Sequence, residues 1–491
     1  MRVWVLVWGA AVAGAAGLAV PEIAGASKPR WIAAWGAPVG SVAVSGIPLA
    51  TGTSAANTTM RSVARVSIGG SAVRIRVSNA ASVDAPLTIG RAAIGLQKTP
   101  GSPELVAGSL RPITFNGQPG ITLPPKTDAV YSDPIELPVK AQQDLAVSLF
   151  LPGPENPPSP GASYSTQFAA ASDAGDLTQD VPGTAFTGSG TSTFALTAVD
   201  VLTTEADGAI VGLGSSTFHG SNSTQDAYNR VLDLLSTRIN AGIPSGTQKG
   251  IVSAGIGGDT LHAGLDRLDR DVLTQSGVAG VMVYDVNDLS SRTAEEVKAD
   301  YRILIARAHA REVRVLCPTW PPAAQSAPST VRSNERRKLN TWLLQGGECD
   351  DIVDWDSVLR GAVAEDEYDP AYLSDGIHPN PAGHAAMADA TPLRWFRFTV
   401  PGPAEAAAPA APTCTAGSVL SVRFNAPAGA HVKSARVYVN GRLARVYRRL
   451  RGRSATVRLR RLPAGEVTVR IAARTAKGKA FTRTKRYSLC G

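Results

Sequence analysis

The chain has 491 residues, which is too long for a single hydrophobic core and predicts two or three domains. Hydrophobic residues make up 44% of it and charged residues 18%, a globular composition that excludes a largely disordered protein. The net charge is +9, from 49 lysines and arginines against 40 acidic residues.

Residues 1–26 have the composition of a secretory signal peptide. Arg2 precedes an apolar stretch from Val3 to Val20. The small residues Ala24-Gly25-Ala26 then stand directly before Ser27. We therefore expect cleavage here and a secreted, extracellular protein. The alternative is a membrane anchor, because the apolar stretch is close to the length that spans a bilayer. No later segment could span one, so we expect no transmembrane segment in the mature chain.

Residues 27–205 show the period-two hydrophobic alternation of β-strands. In ARVSIGGSAVRIRVS, residues 64–78, apolar and polar residues alternate on both sides of two glycines, which indicates a hairpin with one buried face. DLAVSLFLP and TFALTAVDV repeat this alternation, and loops rich in proline and glycine separate the segments. An antiparallel β-sandwich is predicted.

Residues 206–400 follow a different pattern, in which short apolar runs alternate with segments of helical period. The runs are residues 209–213, 250–253, 279–284, 313–317 and 352–354. Helical stretches such as DAYNRVLDLLSTRI and TAEEVKADYRILIARAHA lie between them, and the second opens with Thr293 and Glu296 at capping-box spacing. This alternation predicts a five-stranded parallel sheet covered by helices, with functional residues at the carboxyl ends of the strands.

The end of the chain is separate and basic. Residues 401–412, PGPAEAAAPAAP, predict a semi-rigid linker. Residues 413–491 contain Asn440-Gly441 between two alternating runs, a hairpin signal, and we expect a small Ig-like β-sandwich. From Pro401 onward there are 19 lysines and arginines and 2 acidic residues, a net of +17, which leaves −8 for the preceding residues.

The four cysteines are expected to form two disulfides, because thiols outside the cytoplasm tend to pair. Cys317 and Cys349 lie within the middle region, and Cys414 and Cys490 bracket the last domain, so we pair them in that way. No CxxC motif or Cys/His cluster indicates zinc, and we expect neither a metal nor a cofactor.

Four short polar blocks follow apolar runs of the middle region, and each alone is a weak signal. They are GSSTFHG (214–220), AGIGGDT (254–260), DVND (285–288) and DGIHPN (375–380). In this order they resemble the SGNH/GDSL family of esterases and lipases over residues 206–395. WIAAWGAPVG and the hairpin region also look like the β domain that precedes the catalytic domain in secreted members. The resemblance implies a multidomain protein in which a three-layer, flavodoxin-like α/β domain of the SGNH-hydrolase type lies between the two β-sandwiches, and it implies carboxylic ester hydrolysis.

Ester cleavage needs a nucleophile, a base and a group that orients the base. Of the six histidines, only His262 and His378 have an aspartate three residues before them, and only His378, with Asp375, lies in a Gly/Pro turn. Ser216 lies on the turn between a strand and the following helix. By resemblance, Ser216 is the nucleophile, His378 the base and Asp375 the orienting residue, and the register of the first block selects Ser216 over Ser215.

The developing oxyanion needs hydrogen-bond donors. Gly258 can offer an unobstructed backbone N–H, and the Asn287 side chain can donate beside the backbone N–H of Ser216. The resemblance places the family's oxyanion residues at the same three positions, Ser216, Gly258 and Asn287.

The sequence departs from the family pattern at two positions. Ser215 stands where the family has an aspartate before the nucleophile, and Asp285 stands where a glycine opens the third block. A charged carboxylate about 6 Å from the oxyanion, at an effective dielectric near 20, would oppose it by roughly 3 kcal/mol. The penalty would vanish if Asp285 faced solvent or paired with an arginine.

Other polar residues near the blocks have ordinary structural explanations. We expect His219 to be a loop residue near the pocket mouth, and His262, His309, His384 and His431 to lie at the surface or in packing positions. Asp259, Asp285 and Asp288 lack the spacing of a cation site. A GxSxG elbow is absent because its last position is Phe218, which argues against an α/β-hydrolase.

The first hypothesis for function is a secreted serine esterase that acts on acyl or acetyl esters of small molecules, lipids or polysaccharides. The alternative is a catalytically impaired protein on the same scaffold that acts as a cell-wall or carbohydrate-binding module. The basic domain is expected to hold the protein on an anionic cell-wall polymer, although its arginines could simply coat the solvent faces of strands. A nucleic-acid partner is not expected, because export removes it and the arginines are not interleaved with enough aromatics.

Overall fold

The computed structural model describes most of the chain. The described residues are 28–39, 56–82, 84–153, 162–322, 330–346, 348–362, 364–400, 419–426, 430–460 and 465–489. The predicted signal peptide, the linker, and Cys414 and Cys490 lie outside them. The chain divides into two compact units, one up to residue 400 and one from residue 401. None of the helices in the described ranges has both the length and the apolar composition that a bilayer span requires.

The first part of the larger unit is an antiparallel β-sandwich, as predicted. Its strands within the described residues are β1 (Arg30–Gly36), β2 (Thr58–Arg65), β3 (Ala72–Val77), β4 (Leu87–Ile89), β5 (Arg91–Leu96), β6 (Arg111–Ile113), β7 (Ile121–Leu123), β8 (Val130–Tyr131), β9 (Asp144–Leu151), β10 (Ala162–Ala169), β11 (Gly188–Ser192) and β12 (Leu196–Thr203). One sheet has the order β1-β12-β3-β8 and the other β11-β10-β2-β9-β5-β6, with β4 and β7 forming a separate pair. Alternation in β3 buries Val73, Ile75 and Val77 completely, because successive side chains point to opposite faces.

The second part of the larger unit contains the predicted parallel sheet. Its strands are β13 (Ala206–Gly214), β14 (Gln248–Gly255), β15 (Val278–Tyr284), β16 (Arg314–Pro318) and β17 (Asp351–Val353). They pair in parallel in the order β14-β13-β15-β16-β17, so β13 lies inside the sheet. Each strand contains or overlaps one of the five apolar runs.

Helices connect these strands and form two groups. They are α1 (Ser216–His219), α2 (Val231–Gly242), α3 (Leu261–Leu268), α4 (Ala294–His309), α5 (Thr330–Leu344), α6 (Trp355–Arg360) and α7 (Pro381–Ala390). Helix α7 packs against α2 and α6, and α4 packs against α3 and α5. Two groups of helices around one parallel sheet are consistent with the three-layer architecture that the resemblance implied.

The local sequence predicted the start of one helix correctly and the start of another incorrectly. The capping box of α4 is present, because Glu296 accepts the Thr293 backbone N–H at 2.8 Å and the Thr293 side chain accepts the Glu296 N–H. Helix α2 begins at Val231, five residues later than the helical period indicated. Asp226 and Tyr228 have positive φ in this segment, which forms a loop on the β-sandwich: Asp226 accepts the Thr166 backbone N–H at 2.6 Å, and Arg65 lies 3.4 Å over the Tyr228 ring.

The β-sandwich packs directly against the parallel sheet. Ala33 of β1 donates its backbone N–H to Ser276 O at 2.9 Å, and a side chain at Gly250 of β14 would meet Ala33 O at 2.2 Å. Only glycine therefore allows this close approach. The hydrophobic core is continuous between the two parts, so the sandwich supports the sheet that carries the site.

The smaller unit is a β-sandwich with its own core. Its strands among the described residues are β18 (Val419–Asn425), β19 (Val432–Val439), β20 (Arg442–Tyr447), β21 (Ser454–Arg460), β22 (Gly465–Thr475) and β23 (Ala480–Leu489). One sheet is β20-β19-β22-β23 and the other β18-β21. The predicted turn joins β19 to β20, with φ of 46° at Asn440 and 81° at Gly441, the signs that a type I′ turn requires.

Candidate active site

The candidate site lies at the carboxyl end of β13, where the chain turns into α1. Gly214 ends the strand, and a side chain there would meet Tyr284 O of β15 at 2.1 Å. Phe218 of α1 packs on Tyr284 and Trp355, with ring centroids 5.7 and 6.3 Å apart. The serine turn therefore rests on a buried aromatic cluster, which limits how far it can move.

Ser216, His378 and Asp375 form a continuous hydrogen-bonded chain. The Ser216 hydroxyl oxygen lies 2.8 Å from His378 Nε2, and His378 Nδ1 lies 2.7 Å from Asp375 Oδ2. Because the carboxylate accepts from Nδ1–H, Nε2 is the lone-pair nitrogen and accepts the serine proton. The structure brings together three residues that are 162 positions apart at the extremes.

The Asp375 carboxylate is fixed by the turn that contains it. Burial alone would raise its pKa, but hydrogen bonds from the side chain and backbone of His378 and from the Ile377 backbone hold it well below its usual range. Its Oδ1 accepts the backbone N–H groups of Ile377 and His378 at 3.1 and 2.9 Å. Asp375 is therefore ionised throughout the pH range in which His378 can act as a base.

The second and third blocks meet beside this chain. Gly258 is exposed with φ of 77°, and no atom lies within 4 Å of the position that a Cβ would take, so there is open space on this side of the residue. The Asn287 Nδ2 donates to Asp259 O at 2.7 Å, which leaves one amide N–H for another acceptor. This hydrogen bond connects Asn287 to the loop that contains Gly258 and Asp259.

Asp285 is arranged differently from both alternatives considered for its charge. It is 1% exposed, so it does not face solvent, and among the described residues it forms no ion pair with an arginine. Its Oδ1 accepts from Ser215 Oγ at 3.2 Å and from the Asn287 backbone N–H at 2.9 Å. Burial, followed by the charge of Asp288, raises the pKa of Asp285 well above its usual range and so favours its neutral form.

Arg267 is a site residue that sequence reasoning missed. Its buried guanidinium donates to Gly214 O at 3.1 Å and to Ala254 O at 2.7 Å, and pairs with Asp259 at 2.5 Å. One signal was present, since Arg267 interrupts the buried face of α3. Helical period alone could not show that this arginine holds the ends of two strands.

The remaining histidines are explained by packing and surface pairs. His219 is buried and not at the pocket mouth, and burial, with the charges of Arg230 and His378, lowers its pKa to about 4. His262 pairs with Asp300 at 3.1 Å. His384 is fully buried.

The acidic residues near the third block also have structural partners. Asp259 pairs with Arg267, and Asp288 pairs with Arg292 and accepts the Leu261 N–H at the start of α3. Among the residues that the structure describes, no group of three or more His, Cys, Asp or Glu side chains could hold a metal ion.

Comparison with known proteins supports the resemblance. The model of the GDSL-like Lipase/Acylhydrolase family matches residues 213–386, which confirms the resemblance seen in the four blocks. No curated protein sequence matches the chain. A putative acylhydrolase from Bacteroides fragilis NCTC 9343 is 22% identical, with 37% of this chain and 83% of that chain covered and a TM-score of 0.29. A lipase/acylhydrolase from Enterococcus faecalis is also 22% identical, with 38% and 94% covered and a TM-score of 0.32. An acetyl xylan esterase is 20% identical, with 38% and 98% covered and a TM-score of 0.30.

Proposed function

We propose that this protein is a secreted serine esterase that hydrolyses carboxylic esters through Ser216, His378 and Asp375. The observation that carries the proposal is the hydrogen-bonded chain from Asp375 through His378 to the Ser216 hydroxyl. The family match to an acylhydrolase domain supports the same reaction class. Secretion rests on the composition of residues 1–26.

The proposed reaction follows from the position of each proton. His378 Nε2 takes the proton of Ser216 as Oγ attacks the ester carbonyl, and the ionised Asp375 stabilises the imidazolium. The oxyanion accepts hydrogen bonds from the backbone N–H groups of Ser216 and Gly258 and from the free amide N–H of Asn287. The imidazolium then protonates the leaving alcohol, and water repeats the sequence on the acyl-enzyme with His378 as base.

Turnover of p-nitrophenyl acetate and labelling by a fluorophosphonate test this proposal. We expect Ser216→Ala to abolish both, and mass spectrometry to locate the adduct on Ser216 in the parent protein. His378→Ala should lower kcat by about a thousandfold or more, whereas His309→Ala, a surface histidine paired with Asp350, should leave it unchanged. A well-folded parent that neither turns over nor labels would favour the catalytically impaired binding protein.

We further infer that the smaller unit holds the enzyme on an anionic cell-wall polymer. The exposed face of the β20-β19-β22-β23 sheet, here called the C-terminal outer face, carries Arg436, Tyr438, Leu443, Val446, Arg470 and Arg474. Arg470 lies 4.2 Å over the Tyr438 ring, while Leu443 and Val446 are 55% and 46% exposed. Three guanidinium groups beside exposed apolar side chains favour a polyanion whose backbone also offers apolar contact.

A charge-matched comparison tests this inference in the full-length protein. Arg436→Gln, Arg470→Gln and Arg474→Gln together should release the protein from anionic cell-wall material at lower salt than the parent. The same change at Arg449, Arg451 and Arg453, which lie in the loop before β21, should have a smaller effect. Charge attraction is screened over about 8 Å at physiological ionic strength, so retention should fall as salt rises. Equal retention of the two triple variants, or retention indifferent to salt, would reject the inference.

A further inference from the structure

The two positions at which this chain departs from the family pattern are in direct contact. Ser215 Oγ donates to Asp285 Oδ1 at 3.2 Å, and both side chains are 1% exposed. Ser215 is the N-cap residue of α1, but its hydroxyl makes no hydrogen bond to the helix. The hydroxyl is instead directed to the aspartate on the neighbouring strand end.

The strand register explains this contact. Gly214 of β13 is paired with Tyr284 of β15, so residues 215 and 285 follow equivalent positions on adjacent parallel strands. Side chains at equivalent positions of parallel neighbours point to the same face of the sheet. The close approach of Gly214 to Tyr284 O keeps the two strand ends together. A carboxyl group from either position therefore enters the same buried space.

The geometry points to an exchange of position: the Asp285 carboxyl group takes the place of the carboxyl group that the family pattern has at position 215. Asp285 is then a positioning residue that holds the oxyanion donors. Its Oδ1 accepts a hydrogen bond from the hydroxyl of Ser215, directly before Ser216, at 3.2 Å. The same oxygen accepts the backbone N–H of Asn287 at 2.9 Å. One oxygen thus joins the strand end that supplies the nucleophile to the strand end that supplies the amide donor. This inference rests on the proposed esterase function.

The surroundings of this carboxyl group favour its neutral form. Asp288 and Asp259, whose charges raise the pKa of Asp285, pair with Arg292 and Arg267, and Asp285 itself has no cationic partner in the described parts of the chain. Its Oδ2 is buried without a hydrogen-bond partner there, which would be costly for an ionised oxygen. Burial raises the pKa of Asp285, in agreement with this geometry. In its neutral form, Asp285 positions the donors without opposing the oxyanion charge.

A double-mutant cycle tests the exchange. Ser215→Asp alone places two carboxyl groups in one buried space, and Asp285→Gly alone leaves Ser215 without its acceptor, so each should lower kcat by about tenfold or more with little change in KM. The double variant restores the family pattern and should recover kcat to within about threefold of the parent. Losses that simply add in the double variant would overturn the inference.

A second pair of variants separates positioning from folding. Asp285→Asn keeps an acceptor for Ser215 and Asn287 in a neutral group of the same shape, so it should retain kcat and the thermal midpoint. Asp285→Ala should lose kcat. If Asp285→Asn loses as much kcat as Asp285→Ala, the side chain acts as an ionised carboxylate and the assignment is wrong.

Failure of the esterase proposal can be told apart from failure of this inference. If the parent is inert towards esters and fluorophosphonates, the esterase proposal fails, and the same cycle is measured in thermal unfolding midpoints. Recovery of the midpoint in the double variant would then support the exchange of carboxyl position. Additive losses of midpoint would overturn it.

Discussion

The guanidinium of Arg267 donates to the carbonyl oxygen of Gly214 at 3.1 Å and so holds the end of β13 directly before the serine turn. The same side chain donates to Ala254 O of β14 and pairs with Asp259 in the second block. Its planar fork lets one residue reach acceptors in three directions, which a lysine ammonium on a flexible stem does not reproduce. Arg267 therefore fixes the relative position of the first two blocks.

Arg267→Lys should lower both the thermal midpoint and kcat, because two strand-end carbonyls lose their donors while the buried charge remains. We expect a loss of kcat of about tenfold or more, measured on p-nitrophenyl acetate. Arg302→Lys, in an exposed pair with Glu348, is the matched control and should change neither quantity, since exposed pairs contribute about 0–1 kcal/mol. An unchanged kcat in Arg267→Lys would show that the strand ends hold their positions without the guanidinium.

Asp375→Asn should lower kcat by roughly a hundredfold to ten-thousandfold, with KM nearly unchanged. The amide oxygen accepts the hydrogen bond from Nδ1–H without a full negative charge. The amide NH2 group can instead donate to Nδ1, which favours the tautomer with its proton on Nε2. Because the Asp375 side chain is half-exposed, the thermal midpoint should move little. Retention of most of the parent kcat would mean that another group orients His378.

His384 predicts a loss of stability in acid. Its Nδ1 accepts the Val231 N–H at 3.3 Å and its Nε2 lies 3.4 Å from Ser221 O, so both ring nitrogens are occupied in the neutral form. Burial lowers the pKa of His384 to about 4. The unfolded chain binds the proton first, so the stabilisation present above about pH 6.5 is lost as the pH falls towards about 4, by up to roughly 3 kcal/mol.

Thermal unfolding midpoints between about pH 8 and about pH 4 measure this effect. His384→Gln keeps an acceptor and a donor but does not titrate, so its midpoint should fall less steeply with acid than that of the parent. His431→Gln, at an exposed histidine, is the control and should keep the parent slope. Parallel slopes for the parent and His384→Gln would contradict the assignment.

Reduction of the Cys317–Cys349 disulfide should destabilise the larger unit. The bond joins β16 to the segment after α5 across 32 residues, and closing such a loop stabilises the fold by about 3–4 kcal/mol in the chain-entropy model. Cys317→Ser with Cys349→Ser should therefore lower the thermal midpoint in oxidising buffer. A reductant should lower the midpoint of the larger unit in the parent towards that of the double variant, and should leave the midpoint of this unit unchanged in the variant.

The sequence by itself determined the classes of structure along the chain. The period-two alternation around residues 64–78 and the five apolar runs after residue 206 depend on nearest neighbours, so they predicted the sandwich and the parallel strands. The turn at Asn440-Gly441 was equally local, because few other dipeptides accept two positive φ values. The family register of the four blocks also selected Ser216, His378 and Asp375, which lie in hydrogen-bond contact.

Tertiary structure alone decided the rest, because these features depend on contacts between distant strands. Helix α2 begins at Val231, although the helical period of the sequence predicted an earlier start, because the residues before Val231 form a loop that packs on the sandwich. Arg267 became a site residue only because α3 passes the ends of β13 and β14. The sequence predicted that a charged Asp285 would oppose the oxyanion, but the pairing of Gly214 with Tyr284 buries this side chain against Ser215, and burial raises its pKa and so favours the neutral form.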